Sequence, residues 1–426
     1  MNEITEKLYI KKIYLLLIAY CILDSYLNPI LPTTIIRFCE LSCIIMAIYH
    51  EYKLYINHRI SYPHGFTKTL YILLFFISIG ITIRGNWPSN IKDILLVAIS
   101  PNQLMAYIIP FIIIPLPNEK YIKTVLQCFY IGALLTIPVW IINSHQLVQE
   151  LFYGEAIGRY LPFFSAFLLG FLPLFTKKKK IIIIGIWAFY FLLMLLNARR
   201  NVAFSLLLYG IIAFFFLYHN KIKRNTSSII PISIFLMFSI TIAMINWDKL
   251  TQETFKSMTQ RAKEDTRSGV EELFFADFLT SPIEDWIWGR GMNGGYYQEI
   301  LNSETGEINT NRTTIETGYL YMILKGGIVY ALIITLFIII SSLKGYKNKE
   351  TRYIGLILST YLIDSYTTIP ICILTPRAIL FWFCVSYILK YNPIKQYDTI
   401  SRFNKPNNKS IQQNTSQHLI QNNKCI

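Results

Sequence analysis

The sequence predicts an all-α polytopic membrane protein of about twelve transmembrane helices, with one long extracytoplasmic loop between the ninth and the tenth. Three observations carry this expectation. Of 426 residues, 53% are hydrophobic and only 15% charged, against roughly 25% charged in a soluble domain, and the mean hydropathy is +0.41. Apolar runs recur at lengths near the about 20 residues that cross a hydrocarbon core as a helix, whereas the short alternating strands of a membrane barrel are absent. Short Lys/Arg patches separate those runs in a regular alternation.

In chain order the expected spans lie near Ile13–Leu27, Thr33–His50, Thr67–Ile83, Leu104–Leu116, Tyr121–Ile142, Tyr160–Phe175, Lys180–Leu196, Asn201–Tyr218, Ile229–Asn246, Tyr319–Leu343, Tyr353–Thr368 and Ile373–Leu389. The segment Ile91–Ser100 reads as interfacial or re-entrant. The first span follows Lys7, Lys11 and Lys12 and has no small-residue cleavage site, so it reads as an uncleaved signal anchor. No transporter-type internal repeat is evident.

Orientation follows from the basic patches, which are enriched in short cytoplasmic loops. Lys7/Lys11/Lys12, Lys53/Arg59/Lys68, Lys120/Lys123, Lys177–Lys180, Lys221/Lys223/Arg224, Lys344/Lys347/Lys349/Arg352 and Lys390/Lys395 all fall on one side of the predicted layout. That side is cytoplasmic, both termini with it. The net charge of +15 is therefore read as a topology signal and not as a nucleic-acid footprint. The seven cysteines are scattered, mostly in apolar runs and without metal-ligand spacing, as reduced packing residues would be.

Residues 1–390 are thus expected to form the membrane domain, with 247–315 as its periplasmic or extracellular loop. The Asn-, Gln-, Lys- and Ser-rich segment 391–426 reads as a disordered cytoplasmic tail. The loop holds seven Lys/Arg and twelve Asp/Glu, a net of −5 against +20 for the remainder, so charge asymmetry and topology agree. It is too long for a simple connector and should contain helices; Val270–Leu279 looks amphipathic and is followed by Pro282.

Ionisable groups within spans are costly and mark function by default. Asp24, Arg37, Glu40, Arg84, Arg159, Arg199, Arg200, Asp364 and Arg377 all lie toward the outer half in this topology. Any one arginine has a plain reading, snorkelling to headgroups, and Arg37 and Glu40 at i,i+3 have another, pairing with each other. Their shared sidedness points to a site that faces outward. Arg199 and Arg200 in NARRNVAFSL stand at the N-terminal end of an inward-running helix, where two guanidinium groups and the positive end of the helix dipole coincide. A pyrophosphate site and a hairpin tip resting on lipid phosphates are both consistent with that.

Within the loop, Arg267 is the candidate second pyrophosphate contact, and Arg261, Arg290 and Arg312 offer further donors. WGRGMNGGYY resembles a nucleotide loop only superficially, lacking the preceding strand and following helix. Its glycines suit tight turns. Tyr296, Tyr297, Trp286 and Trp288 either stack on sugar faces or form an interfacial aromatic belt. Glu316 in TIETGYLY stands at the outer mouth of the tenth span, placed to deprotonate an acceptor hydroxyl or, with Thr313, to close a capping box. The loop as a whole is expected to act as a lid over a site at the membrane surface.

This layout resembles the O-antigen polymerase and ligase superfamily, the Wzy-like integral membrane glycosyltransferases of bacterial envelopes, most clearly from the seventh span to the eleventh. The residues that carry the resemblance are Arg200 opening a helix, then Arg267, Pro282 and the Gly289–Gly291 pair in the long loop. After them come Glu316, Thr317 and Leu320 with the later pair Gly326 and Gly327. Where ligases of the family have a histidine proposed as base, this chain has Glu316, which favours polymerase over ligase. The resemblance implies transfer of a glycan from undecaprenyl diphosphate to an incoming lipid-linked unit at the outer face of a bacterial inner membrane. Arg199, Arg200, Arg267 and Arg159 would hold the diphosphate, Glu316 and Arg200 would serve catalysis, and Arg290, Tyr296 and Tyr297 would contact sugar. No Asp-x-Asp motif is present and no metal or other cofactor is expected. Expected partners are the lipid-linked oligosaccharide, membrane lipids and a chain-length regulator protein. Ligation to lipid A core and flipping of a lipid-linked saccharide are the competing activities.

Overall fold

A computed structural model describes residues 1–24, 33–149, 162–196, 200–221, 266–301, 308–369 and 371–391. Most of them are helical. The helices are α1 (Glu3–Ile22), α2 (Thr33–Ile56), α3 (Phe66–Arg84), α4 (Ile91–Ile99), α5 (Leu104–Ile113), α6 (Ile122–Gln149), α7 (Pro162–Leu168, continued by a 3₁₀ turn Leu169–Leu174), α8 (Lys177–Leu196) and α9 (Arg200–Lys221). After them come α10 (Thr266–Thr280), α11 (Ile283–Trp288), an antiparallel hairpin of β1 (Tyr296–Leu301) and β2 (Ile308–Arg312), then α12 (Gly318–Lys347), α13 (Arg352–Thr367) and α14 (Pro376–Lys390). The hairpin is a departure from the all-α expectation, and it is confined to the long polar segment. The expected ninth span, Ile229–Asn246, and the tail from residue 392 lie outside the described residues.

Among the described residues, two helices are long and apolar enough to cross a membrane, α3 and α12; α4 and α5, bent by 46° at their break, make a third if the pair is one span. The region read as interfacial or re-entrant is therefore helical and continues, through the bend, into the expected fourth span. The expected sixth span is a seven-residue α-helix that tightens into a 3₁₀ turn containing Pro173, since proline removes an i→i−4 donor and disfavours continued α-helix. Local capping explains two starts: Asn2 accepts from the Thr5 amide (2.9 Å) to open α1, and Asn90 from the Lys92 amide (3.1 Å) to open α4.

Residues 376–389 of α14 are all buried, as befits a helix apolar on every side. Around it Phe129 stacks on Phe164 (ring centroids 5.2 Å) and meets Phe383 edge-on (5.3 Å), while Tyr14 meets Phe129 at 5.7 Å. Three polar side chains within this core are linked in a chain. Tyr14 donates to Asn118 (2.8 Å), Asn118 to the Ser386 hydroxyl (2.9 Å), and Ser386 to the Ile114 carbonyl (3.0 Å). By contrast α3 turns Phe66, Phe76 and Ile83 outward, an apolar surface suited to lipid.

Contacts at the helix ends sort the molecule into two sides. At one, Lys120 reaches Glu6 (3.3 Å) and Glu3 (3.6 Å), Arg59 reaches Glu6 (3.9 Å), and Lys344 donates to the Leu389 carbonyl (2.6 Å). At the other, Arg37 pairs with both Asp24 (3.0 Å) and Glu40 (2.6 Å), the Leu374 amide donates to the Pro101 carbonyl (2.7 Å), and Tyr321 to the Asn102 carbonyl (3.2 Å). The expected Arg37–Glu40 pair is thus present and enlarged by Asp24.

Candidate functional site

The glycine-punctuated stretch after α11 is built into the helical frame. α12 is broken at Gly327, where the backbone turns to φ 72°, and a break leaves the carbonyls of the preceding turn without helical partners. The loop supplies donors to them: the Arg290 amide bonds the Leu324 carbonyl (2.7 Å) and the Gly291 amide the Lys325 carbonyl (3.0 Å), while the Met292 amide bonds Ile81 of α3 (3.1 Å). Glycine is required on both sides of this junction. A Cβ on Gly289 (φ 69°) would overlap the Lys325–Gly326 backbone, and one on Gly327 would overlap the Ile287 carbonyl. Lys325, only 2% exposed, closes the joint by donating from Nζ to the Gly294 carbonyl (2.8 Å) and lies over the Tyr321 ring (5.3 Å). Residues 289–295 are consequently wedged between α3 and α12.

Arg290 fastens the wedge from above. Its guanidinium donates to Asp285 (2.9 Å), Asp277, the Gly295 carbonyl (2.7 Å) and the Ser281 hydroxyl, and it stacks over Phe278 (4.6 Å). Burial opposes its charge, but the hydrogen bonds and charges of Asp277 and Asp285 outweigh that, and its pKa is raised. Asp285 also binds Arg84 at the end of α3 (3.1 Å). In this state the Arg290 donors are engaged by protein partners. Tyr296 is 1% exposed, packed against Phe274 (5.6 Å), with its hydroxyl donating to Gln298 (3.2 Å). Tyr297 is 55% exposed, with its amide donating to Asp277 (3.2 Å). Trp286 is pinned by its indole N–H to the Phe278 carbonyl (2.8 Å).

The entry of α12 departs from the expected capping box. The helix begins at Gly318, its N-cap residue is Thr317, and the Thr317 side chain makes no cap bond. That hydroxyl donates instead to Glu271 of α10. Glu316 is exposed beside it, close enough to Tyr296 to act on it. Burial raises the Tyr296 pKa, the Arg312 charge opposes this, and the Glu316 carboxylate adds to it. Arg267 stands one helical turn before Glu271, on the same short helix.

A second group of charges lies beneath. Asp364 (2% exposed), near the end of α13, binds Arg377 (4% exposed), near the start of α14. Ser205 of α9 donates to Asp364 (2.7 Å), Arg377 donates to Thr368 (3.2 Å), and the Arg377 guanidinium lies over Phe163 (4.3 Å). Gly318 packs so closely on the end of α13 that a Cβ there would overlap the Thr368 carbonyl. Arg200 is the first residue of α9, five before Ser205. The backbone segments bearing Arg200, Arg267 and Glu316 therefore gather around one junction of α9, α10, α12, α13 and α14. Arg159 and Arg199 lie outside the described residues.

Sequence reasoning named Asp364 and Arg377 among the charges of the outer half but not their pairing with each other or with Ser205, and it did not single out Lys325 or Glu271. A lysine in the middle of an apolar helix is a signal of the kind that could have found Lys325. Among the described residues, no group of three or more His, Cys, Asp and Glu side chains is placed to hold a metal ion. No protein-family model matches the chain, and no characterised protein or solved structure matches it either.

Proposed function

We propose that this chain is a polysaccharide repeat-unit polymerase of a bacterial cytoplasmic membrane. It would be anchored by about twelve helices, with residues 247–315 outside and both termini cytoplasmic. The observation that carries the reading is the gathering of Arg200, Arg267 and Glu316 at one helix junction, opposite the end where the basic patches of α1, α2, α6 and α12 lie. Arginines at a membrane surface, one of them at a helix N-terminus, suit a lipid-linked diphosphate.

In the proposed reaction, a hydroxyl oxygen of the incoming lipid-linked oligosaccharide attacks the anomeric carbon of the growing chain. The bond from that carbon to the diphosphate oxygen breaks, and undecaprenyl diphosphate leaves with the bonding pair. Glu316 receives the hydroxyl proton, and Arg199, Arg200 and Arg267, with Arg159 in reach of the lipid, stabilise the departing anion. Tyr297, more than half exposed, would meet a sugar face. The exposure of Glu316 fits a base that must meet solvent-borne substrate. A chain-length regulator would act on this enzyme from outside the chain.

Deletion of the gene followed by electrophoresis of surface polysaccharide tests the proposal. Acceptor capped with a single repeat supports polymerisation. Unattached long chains would make the protein a ligase acting on lipid A core, and units trapped on the inner leaflet would make it a flippase. A periplasm-active reporter fused after Gly294 should be active; a silent one would overturn the orientation.

A further inference from the structure

At the end opposite the proposed active site, the start of α6, the 3₁₀ turn that ends α7 and the start of α8 enclose a cavity of about 200 Å³. Its walls divide by chemistry: Leu126, Leu174 and Phe175 are apolar, while Lys123, Gln127, Thr176 and Lys179 offer two ammonium groups, an amide and a hydroxyl. The Lys179 ammonium is held over the Tyr130 ring at 5.1 Å, and Tyr130 in turn packs on Phe175 (6.0 Å). Thr176 immediately precedes α8, a helix of 20 residues whose amide end adds positive potential. Among the described residues no carboxylate lines the cavity and neither lysine makes an ion pair, in contrast with Lys120 one turn away, which is neutralised by Glu3 and Glu6.

We propose that this cavity binds the phosphate ester of an anionic glycerophospholipid, with Lys123 and Lys179 on the phosphate, Gln127 and Thr176 on the headgroup oxygens, and the acyl-glycerol portion against Leu126, Leu174 and Phe175. Two cations without a carboxylate partner among the described residues, beside an apolar wall, match a ligand that is anionic at one end and apolar at the other. The assignment rests on the membrane orientation given above, in which this end meets the cytoplasmic leaflet, but not on the transferase chemistry.

Native mass spectrometry of the purified full-length protein in neutral detergent, titrated with phosphatidylglycerol, tests the site. Lys123→Gln/Lys179→Gln should weaken phosphatidylglycerol retention by about thirtyfold, as expected when two interfacial lysines are lost. Lys177→Gln/Lys178→Gln removes the same charge from outside the cavity and should weaken retention clearly less than the cavity variant. Equal losses in the two variants would overturn the site in favour of diffuse attraction. Displacement of the lipid by inorganic phosphate alone would overturn the lipid as ligand. Chain extension by the unaltered protein is scored separately, so failure of the lipid site and failure of the polymerase reading remain distinguishable.

Discussion

At the end that carries Glu6, the ionised groups are held loosely: Arg59 and Lys120 are each more than 40% exposed, and they share the carboxylates of Glu3 and Glu6 at 3.3–3.9 Å. At the opposite end the charges interlock. Arg37 bridges two carboxylates, Arg290 is filled by Asp277, Asp285, Ser281 and a carbonyl, Arg377 lies buried on Asp364, and Lys325 is spent on Gly294. The physical difference is solvation. Water screens the two cations of the first set, although the Glu6 carboxylate they share is buried, so their exact position matters less there; in the second set each charge is fixed by named partners.

The contrast can be broken by substitution, and the largest effects should fall on the interlocked end. Arg377→Met or Asp364→Leu leaves a buried charge without its partner and should cost roughly 3–5 kcal/mol, whereas the double variant Asp364→Leu/Arg377→Met should cost less than either. Thermal unfolding of the four proteins in detergent gives the cycle; strict additivity would mean that the pair is not coupled. Gly327→Ala forces a Cβ into the Ile287 carbonyl from a left-handed backbone, with an expected loss of about 3 kcal/mol, read as a lower melting temperature. A wild-type melt would show that the wedge can move aside. Arg290→Lys keeps the charge and loses the fork, which should cost about 1–3 kcal/mol. At the other end, Arg59→Gln and Lys120→Gln should each change stability by under about 1 kcal/mol. Losses as large as that of Arg377→Met would erase the distinction between the two ends.

The helical membrane character was legible because it depends on apolar composition and run length, which are local. Arg37 pairs with Asp24 and Glu40, and Arg377 with Asp364, at helix ends other than those that carry Glu6 and Lys120. Pairing was less legible, because partners are set by tertiary contact: Arg84 meets Asp285, 201 positions away, and Thr317 meets Glu271 at 46. The capping-box spacing of Thr313 and Glu316 misled for the same reason, the start of α12 being fixed by the close approach of Gly318 to α13. The turn glycines were recognised, but not their purpose. Nothing local to WGRGMNGG announces that its amides will fill the carbonyls freed at Gly327.

The central claim is that the junction of α9, α10 and α12 performs glycan transfer from a lipid diphosphate. Its most direct test places purified protein in liposomes with an undecaprenyl diphosphate-linked oligosaccharide and resolves the products by length. The account predicts a ladder of repeats with the wild-type protein and a fall of about a hundredfold or more in chain extension for Arg200→Ala, with Glu316→Ala also impaired, at unchanged membrane insertion. No product longer than the input from wild-type protein, or an undiminished ladder from Arg200→Ala, would contradict it.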